Sequence, residues 1–150
     1  MKNIFLVTIT LVLFMSCPVN GQAGFHKIKS NHSVKGTVHK LTNTLNEKGM
    51  HIFATIDHQK GAEKAGLILL PTVLMIFGNP TVGTKLMQCD QKTGIALPLK
   101  MLIWQDEAGD TWIGYWEPSK LSEKYQLGDC REILNKVKNA MANFANAAAS

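Results

Sequence analysis

The sequence predicts an α+β domain: one antiparallel sheet with its long helices on one side. Three observations carry this. Residues 51–57 and 111–116 alternate at period two and are rich in β-branched and aromatic residues. Two stretches, residues 34–45 and 133–144, place apolar side chains three and four residues apart. The order of elements is strand, helix, strand, buried strand, hairpin, helix, which suits an open antiparallel sheet packed by helices.

The chain opens with a different pattern. Lys2 precedes an almost wholly apolar run over residues 4–15, and small and turn-forming residues follow from Ser16 to Ala23. That is the layout of a cleavable export signal. The run is shorter than the roughly 20 residues a membrane-spanning helix needs, and Pro18 and Gly21 interrupt it directly. Residues 1–23 therefore read as a signal peptide and residues 24–150 as one exported domain, periplasmic or secreted, with no transmembrane segment once the signal is removed. Cleavage fits after Gly21 or after Ala23. Lipid attachment at Cys17 is the less favoured alternative, because Phe14 and Met15 are poor residues before a lipidated cysteine.

Residues 25–30 read as a first strand. Ser33 suits a helix N-cap, and Val34, Val38, Leu41 and Leu45 form one apolar face behind it. Gly36 stands where a capping-box Glu would reach back to the cap. Gly49 followed by Met50 is the pattern of a left-handed helix stop. In residues 51–57, Ile52, Ala54 and Ile56 are expected on one face. Asp57 is expected to cap a short helical turn ended by Gly66. Residues 67–70 and 73–77 are apolar runs and read as one buried strand bent at Pro71. Gly78-Asn79-Pro80 is a turn, and residues 81–89 read as a helix with Val82, Leu86 and Met87 inward. Residues 99–104 and 111–116 flank a hairpin loop at residues 106–110. Pro118 opens a short helix, and Asp129 is expected to cap a last helix with the stripe Ile133, Val137, Met141 and Phe144. The alanine-rich end from Ala145 is expected to fray.

Taking residues 1–23 from the 150 leaves 127, enough for one domain with a real core. The formal net charge is +5, and +4 without Lys2. The lysines are spread singly and Arg131 is the only arginine. Arginine forks dominate phosphate and base recognition, so the charge reads as solubility rather than nucleic-acid binding. Cys89 and Cys130 remain in the exported domain. They can form one disulfide or stay as two separately buried thiols; the second is preferred, since a bond needs Cα atoms within about 7 Å.

Several stretches together resemble a known family. They are His32-Ser33-Val34 with Thr37, Ile56-Asp57-His58, Pro71-Thr72, Ile76-Phe77-Gly78-Asn79-Pro80, Gly83-Thr84 with Leu86-Met87-Gln88, Leu97-Pro98-Leu99-Lys100, and Trp112 through Tyr115 to Pro118. In this order they resemble domain of unknown function 302, over roughly residues 30–127. The resemblance implies a fold like that of the TATA-binding protein, a curved antiparallel sheet in a β-α-β(4)-α arrangement, and a homodimer. It implies no catalytic residue, and shared fold does not imply DNA binding. Leu70, Cys89 and the Trp116-Glu117 pair depart from the family pattern.

The chemistry-bearing residues are few. Asp57-His58 can act as a carboxylate-oriented imidazole, although Asp57 also suits a cap with His58 in solvent. Asn79 can present its amide to a ligand or shape the turn with Pro80. Lys100 can bind an anion or simply point to solvent. Trp104, Trp112, Tyr115 and Trp116 lie on adjacent strands, with Trp112 and Trp116 on one face. If no helix covers that face, it is an aromatic platform for a ligand or a second copy. His26, His32, His39, His51 and His58 show no metal-ligand spacing, and no phosphate loop or nucleophile elbow is present. The reading is a small ligand-binding or homodimeric module with no cofactor and no metal, its ligand near Asp57, His58, Asn79 and Tyr115. The alternative is a hydrolase or redox enzyme using Asp57 and His58.

Overall fold

A computed structural model describes residues 24–150. The signal-peptide reading, Cys17 included, lies outside the described residues. Five strands form one antiparallel sheet: β1 (Phe25–Lys29), β2 (His51–Asp57), β3 (Thr72–Gly78), β4 (Leu99–Gln105) and β5 (Thr111–Trp116). Their order across the sheet is β1-β5-β4-β3-β2. The last four strands run as a meander, and β1 pairs with β5 at the far edge. Four α-helices complete the domain: α1 (Val34–Glu47), α2 (His58–Lys64), α3 (Pro80–Cys89) and α4 (Arg131–Ala149). The expected α+β architecture is therefore the one found.

Local chemistry explains α1. Ser33 accepts a hydrogen bond from the Gly36 amide, and the apolar stripe buries Val34, Leu41 and Leu45. A side chain at residue 36 would press against His32 Cβ at 3.2 Å, which accounts for glycine where a capping-box Glu is usual. At the other end Gly49 takes φ 66°, and its amide and that of Met50 bond back to Asn46 and Leu45. These two bonds are the Schellman stop. The core lies between the sheet and the α1–α4 pair: Met75, Phe77, Met101, Ile103 and Ile113 from the strands meet Leu41, Leu45, Val137, Met141 and Phe144.

Several expectations need correction. Register slips between Ile52 and Ala54, so Phe53 is an extra residue in β2. Ile52 opposes Phe77 on the core side, but Ala54 and Ile56 oppose Ile76 and Leu74 on the other face. A single bulge thus splits a set that alternation alone places together. Leu67 to Leu70 have no regular secondary structure and are exposed, Ile68 completely so; only the segment after Pro71 joins the ladder. Asp129 does not cap α4: a 3-10 turn over Gly128–Cys130 leads into the helix without a side-chain cap. The alanine-rich end does not fray. Ala145, Ala148 and Ala149 are buried, α4 packs on α1, and the Ala149 carbonyl accepts from the Asn31 amide at 2.8 Å. Small side chains let the two helices approach, and alanine is the best helix former. Cys89 and Cys130, finally, are bonded as a disulfide, with Cα atoms 6.4 Å apart. Distance along the chain hides that proximity, because α3 and the start of α4 meet only in the fold.

Candidate functional site

Beyond the end of the sheet where β3 finishes and β4 begins lies a cleft of about 800 Å³. Its position follows from local sequence. Asn79 ends β3 and caps α3, its Oδ1 accepting from the Thr81 and Val82 amides at 3.0 and 3.3 Å. Pro80 fits the first helical position because it needs no amide partner there. The α3 residues Val82, Gly83, Leu86 and Met87 make one wall. Leu97, Pro98 and Leu99, entering β4, line it next, and Ile133, Val137, Ala140 and Phe144 of α4 face them. Met50 and the bulged Phe53 complete the rim on the β2 side. The lining contains no Asp or Glu, and its only charged residues are Lys85 and Lys136.

The structure scatters the four residues expected to share a ligand. Only Asn79 is on the cleft, and its carbonyl side is occupied by the cap. Asp57 caps α2, accepting from the Lys60 amide at 3.0 Å, with Lys60 Nζ 3.6 Å away. His58 is exposed as the first residue of α2. His51 at the start of β2 opposes Gly78, and Asp57 at its end opposes Val73. Asp57 is therefore about 17 Å along the ladder from the cleft. Tyr115 is buried on the helix-covered face under the His26 ring, with centroids 5.5 Å apart. Burial, and then the Glu117 charge, push its phenol pKa up. Lys100 is exposed and donates to the Pro98 carbonyl at 3.1 Å.

A polar cluster that sequence reasoning missed lies beside Tyr115. Glu117 takes hydrogen bonds from His26 and Ser119, the latter at 2.7 Å, and pairs with Lys138 at 3.0 Å. The Ser119 hydroxyl, opposed by burial and aided by Lys138 and His26, holds the Glu117 carboxyl down at about 2. Ser119 donates to the carboxylate and not to the imidazole, so this is no nucleophile–base pair. What it does is tie β1, the end of β5 and α4 together. Residues 26, 117 and 138 carry no shared local motif, so no sequence signal marks the cluster. Among the described residues, no three His, Cys, Asp or Glu side chains converge to hold a metal, and no helix is long and apolar enough to cross a membrane.

The sheet face away from α1 and α4 is the aromatic platform. Trp104 opposes Trp112 across β4 and β5. Phe25 meets Trp116 edge-on at 5.2 Å and Trp104 at 6.3 Å, and Lys27 Nζ sits 4.4 Å from the Trp112 ring. Gly114 lies beneath: a Cβ there would come within 2.6 Å of the Phe25 ring and 3.0 Å of the Trp104 ring. Leu74, Ile76, Leu102 and Ile56 continue the face toward β2. Trp116 and Ile56 are exposed.

Comparison with known proteins places these features in a family. Three Brucella proteins are 40% identical to this chain over 114 residues: fluoride-specific ion channel FluC 1 of Brucella suis and of Brucella abortus, and FluC 2 of Brucella melitensis. The match covers 76% of this chain but 45%, 42% and 42% of theirs, so the chain spans less than half the length of these curated relatives. The crystal structure of an uncharacterized conserved DUF302 protein from Bacillus stearothermophilus superposes with a TM-score of 0.73 at 19% identity, covering 84% of this chain and 98% of that one. At that identity it speaks to the fold, which is the one described above. The model of the family described as domain of unknown function DUF302 matches residues 26–144, from β1 into the last turns of α4, and the chain belongs to that family.

Proposed function

We propose that this domain is a small-molecule binding module that holds an apolar ligand in the cleft between α3 and α4. The observation that carries the reading is the cleft itself: a volume of about 800 Å³ with almost wholly apolar walls. That is within the range of ligand pockets and far larger than the water-sized voids of a packed core. The stretches that carry the family resemblance supply much of its wall, namely Gly78-Asn79-Pro80, Gly83-Thr84, Met87 and Leu97-Pro98-Leu99. The Cys89–Cys130 bond supports an oxidising compartment, and with it the exported reading. The Brucella relatives are named as ion channels, but this chain spans less than half of their length, so the reading rests on the cleft and not on that name.

The test is to fill the cleft without harming the fold. Gly83 is on α3, and a Cβ there would touch only Leu97 Cδ1, at 3.8 Å. Gly83→Leu places a side chain in the cleft and improves helix propensity by about 1 kcal/mol. The expected result is a melting temperature equal to or above that of the wild type, with Nile red binding weakened by about tenfold or more. Unchanged Nile red affinity in a folded Gly83→Leu protein would show that the dye, and the proposed ligand, bind elsewhere.

A second reading has its own observation. The uncovered sheet face is rich in tryptophan and aliphatic side chains, with Lys27, Lys29 and Lys100 among them, and such a face fits a second copy of this chain. Five strands about 4.8 Å apart and about six residues long offer roughly 500 Å² per protomer, about 1,000 Å² for a pair. That is the lower limit for a specific interface. The two readings use opposite parts of the domain and are compatible.

A further inference from the structure

We infer that the cleft's ligand is an anionic amphiphile, its hydrocarbon chain lying between α3 and α4 and its acidic head held at the mouth by Lys85 and Lys136. This rests on the binding function proposed above and adds the chemical class of the ligand. The cleft's polar character is one-sided. Its lining holds two lysines, one on each opposing helix, and no carboxylate. A cationic or zwitterionic ligand would find no carboxylate on the lining, Glu132 beside it being already paired with Lys136, and a purely neutral hydrocarbon would leave the Lys85 ammonium unused.

The other cationic features nearby are already committed. The first amides of α3 do not await an anion, because Thr81 and Val82 donate to Asn79 Oδ1 and Gly83 donates to the Asn79 carbonyl. The head must therefore be met by side chains. Among the described residues Lys85 has no carboxylate within salt-bridge distance. Lys136 pairs with Glu132 one turn back on α4 at 2.8 Å, and both partners are more than 70% exposed. An exposed pair of this kind exchanges readily with a bound anion. Thr81 and Thr84 line the same stretch of α3 and add hydroxyl donors beside Lys85. The two helices otherwise line the cleft with apolar side chains, Val82, Leu86 and Met87 from α3 and Val137, Ala140 and Phe144 from α4. A charged head above an unbranched apolar body is the shape and polarity that match.

The experiment displaces Nile red from the full chain with twelve-carbon ligands that differ only in the head: dodecanoate, dodecanol and dodecyltrimethylammonium. Dodecanoate is expected to bind about tenfold tighter than dodecanol, as a charge-assisted pair would give, with the ammonium compound weakest. Lengthening the acid from ten to fourteen carbons should tighten binding about fourfold per methylene. Lys85→Ala with Lys136→Ala should bring dodecanoate down to the affinity of dodecanol and leave dodecanol unchanged. Equal binding of acid and alcohol by the wild type, or a preference that survives in the double variant, overturns the head-group assignment and leaves the cleft in place. Failure of all three to displace the dye overturns the cleft reading itself. Phosphatidylglycerol vesicles then separate the sources. Co-sedimentation with them assigns the anion to a membrane lipid, whereas binding of monomeric dodecanoate without co-sedimentation assigns it to a free fatty acid.

Discussion

Glu117→Gln should flatten the acid limb of the stability curve. The Glu117 carboxyl titrates at about 2 in the folded chain against 4.5 without its partners. At about 1.36 kcal/mol per unit, this difference sets a ceiling of roughly 3 kcal/mol. The Glu117 side chain is 11% exposed, but His26 and Lys138 are about half exposed. Solvent screening then leaves about 1–2 kcal/mol. The sign follows from the direction of the shift. A carboxyl whose folded pKa lies below its unfolded pKa favours the folded state fully above about 4.5, and loses that contribution as the pH falls toward 2. Urea denaturation at intervals from pH 6 to pH 2 measures it. The variant should be about 1–2 kcal/mol less stable at pH 6, and the two curves should converge near pH 2. Asp90, Asp106 and Glu132 also have lowered pKa values, but they are common to both proteins and cancel in the difference. Ser119→Ala should reproduce part of the effect, since its hydroxyl is the largest contributor to the shift. Parallel curves for wild type and Glu117→Gln would refute the reasoning.

Two further predictions concern the disulfide and the open face. Cys89 and Cys130 are 41 residues apart, so their bond restricts the unfolded chain by about 4 kcal/mol in the loop-entropy account. Calorimetry should find the melting temperature of Cys89→Ala with Cys130→Ala about 10 °C lower, and an unchanged value would remove the bond from the stability argument. For the open face, analytical ultracentrifugation should show a concentration-dependent dimer that becomes monomeric in Ile56→Lys with Trp116→Lys, both side chains being exposed on that face. A wild type that stays monomeric across the accessible concentrations rules out the second copy.

What was legible in the sequence was local. Ser33, the α1 stripe and Gly49 with Met50 could be read directly, because a cap, a stripe and a stop are each decided within a few residues. The hairpin loop was legible for the same reason: the Asp106 side chain accepts from the amides of Ala108 and Asp110, and backbone bonds between residues 106, 109 and 110 close the same few residues. What was not legible depends on partners distant in sequence. The Phe53 bulge reverses the faces of Ala54 and Ile56 because of what β3 presents, and no period-two count can see it. Residues 67–70 look like a core strand by composition, yet nothing pairs with them. Ala145 to Ala149 look like a fraying tail until α1 is placed beside them. The site divides in the same way. Asn79 was singled out and lies on the cleft, but as the cap of α3. Asp57, His58 and Tyr115 were drawn to it by residue chemistry, and the ladder puts Asp57 at the opposite end of β2.

Gly83 bears on the proposal that the cleft holds a ligand. Glycine inside a helix costs about 1 kcal/mol against alanine. The chain carries that cost also at Gly61 of α2, where open space surrounds the Cβ position, so what matters at Gly83 is what a side chain would meet. Left-handed backbone is not the cause, because the non-negative φ angles belong to Gly24, Gly49, Gly66 and Gly109. Close approach of another backbone is not the cause either, because the nearest atom to a Cβ there is a leucine methyl at ordinary contact distance. Gly94, also on the cleft, differs: a Cβ there would come within 3.2 Å of Met87 Sδ, so that side chain would have to give by a few tenths of an ångström. At Gly83 what a side chain would occupy is the cleft. A chain selected only for stability would fill that space and gain both helix propensity and apolar contact. That it does neither is in keeping with the binding function proposed above, and it is the reason Gly83→Leu separates stability from binding more cleanly than a substitution at any other wall residue.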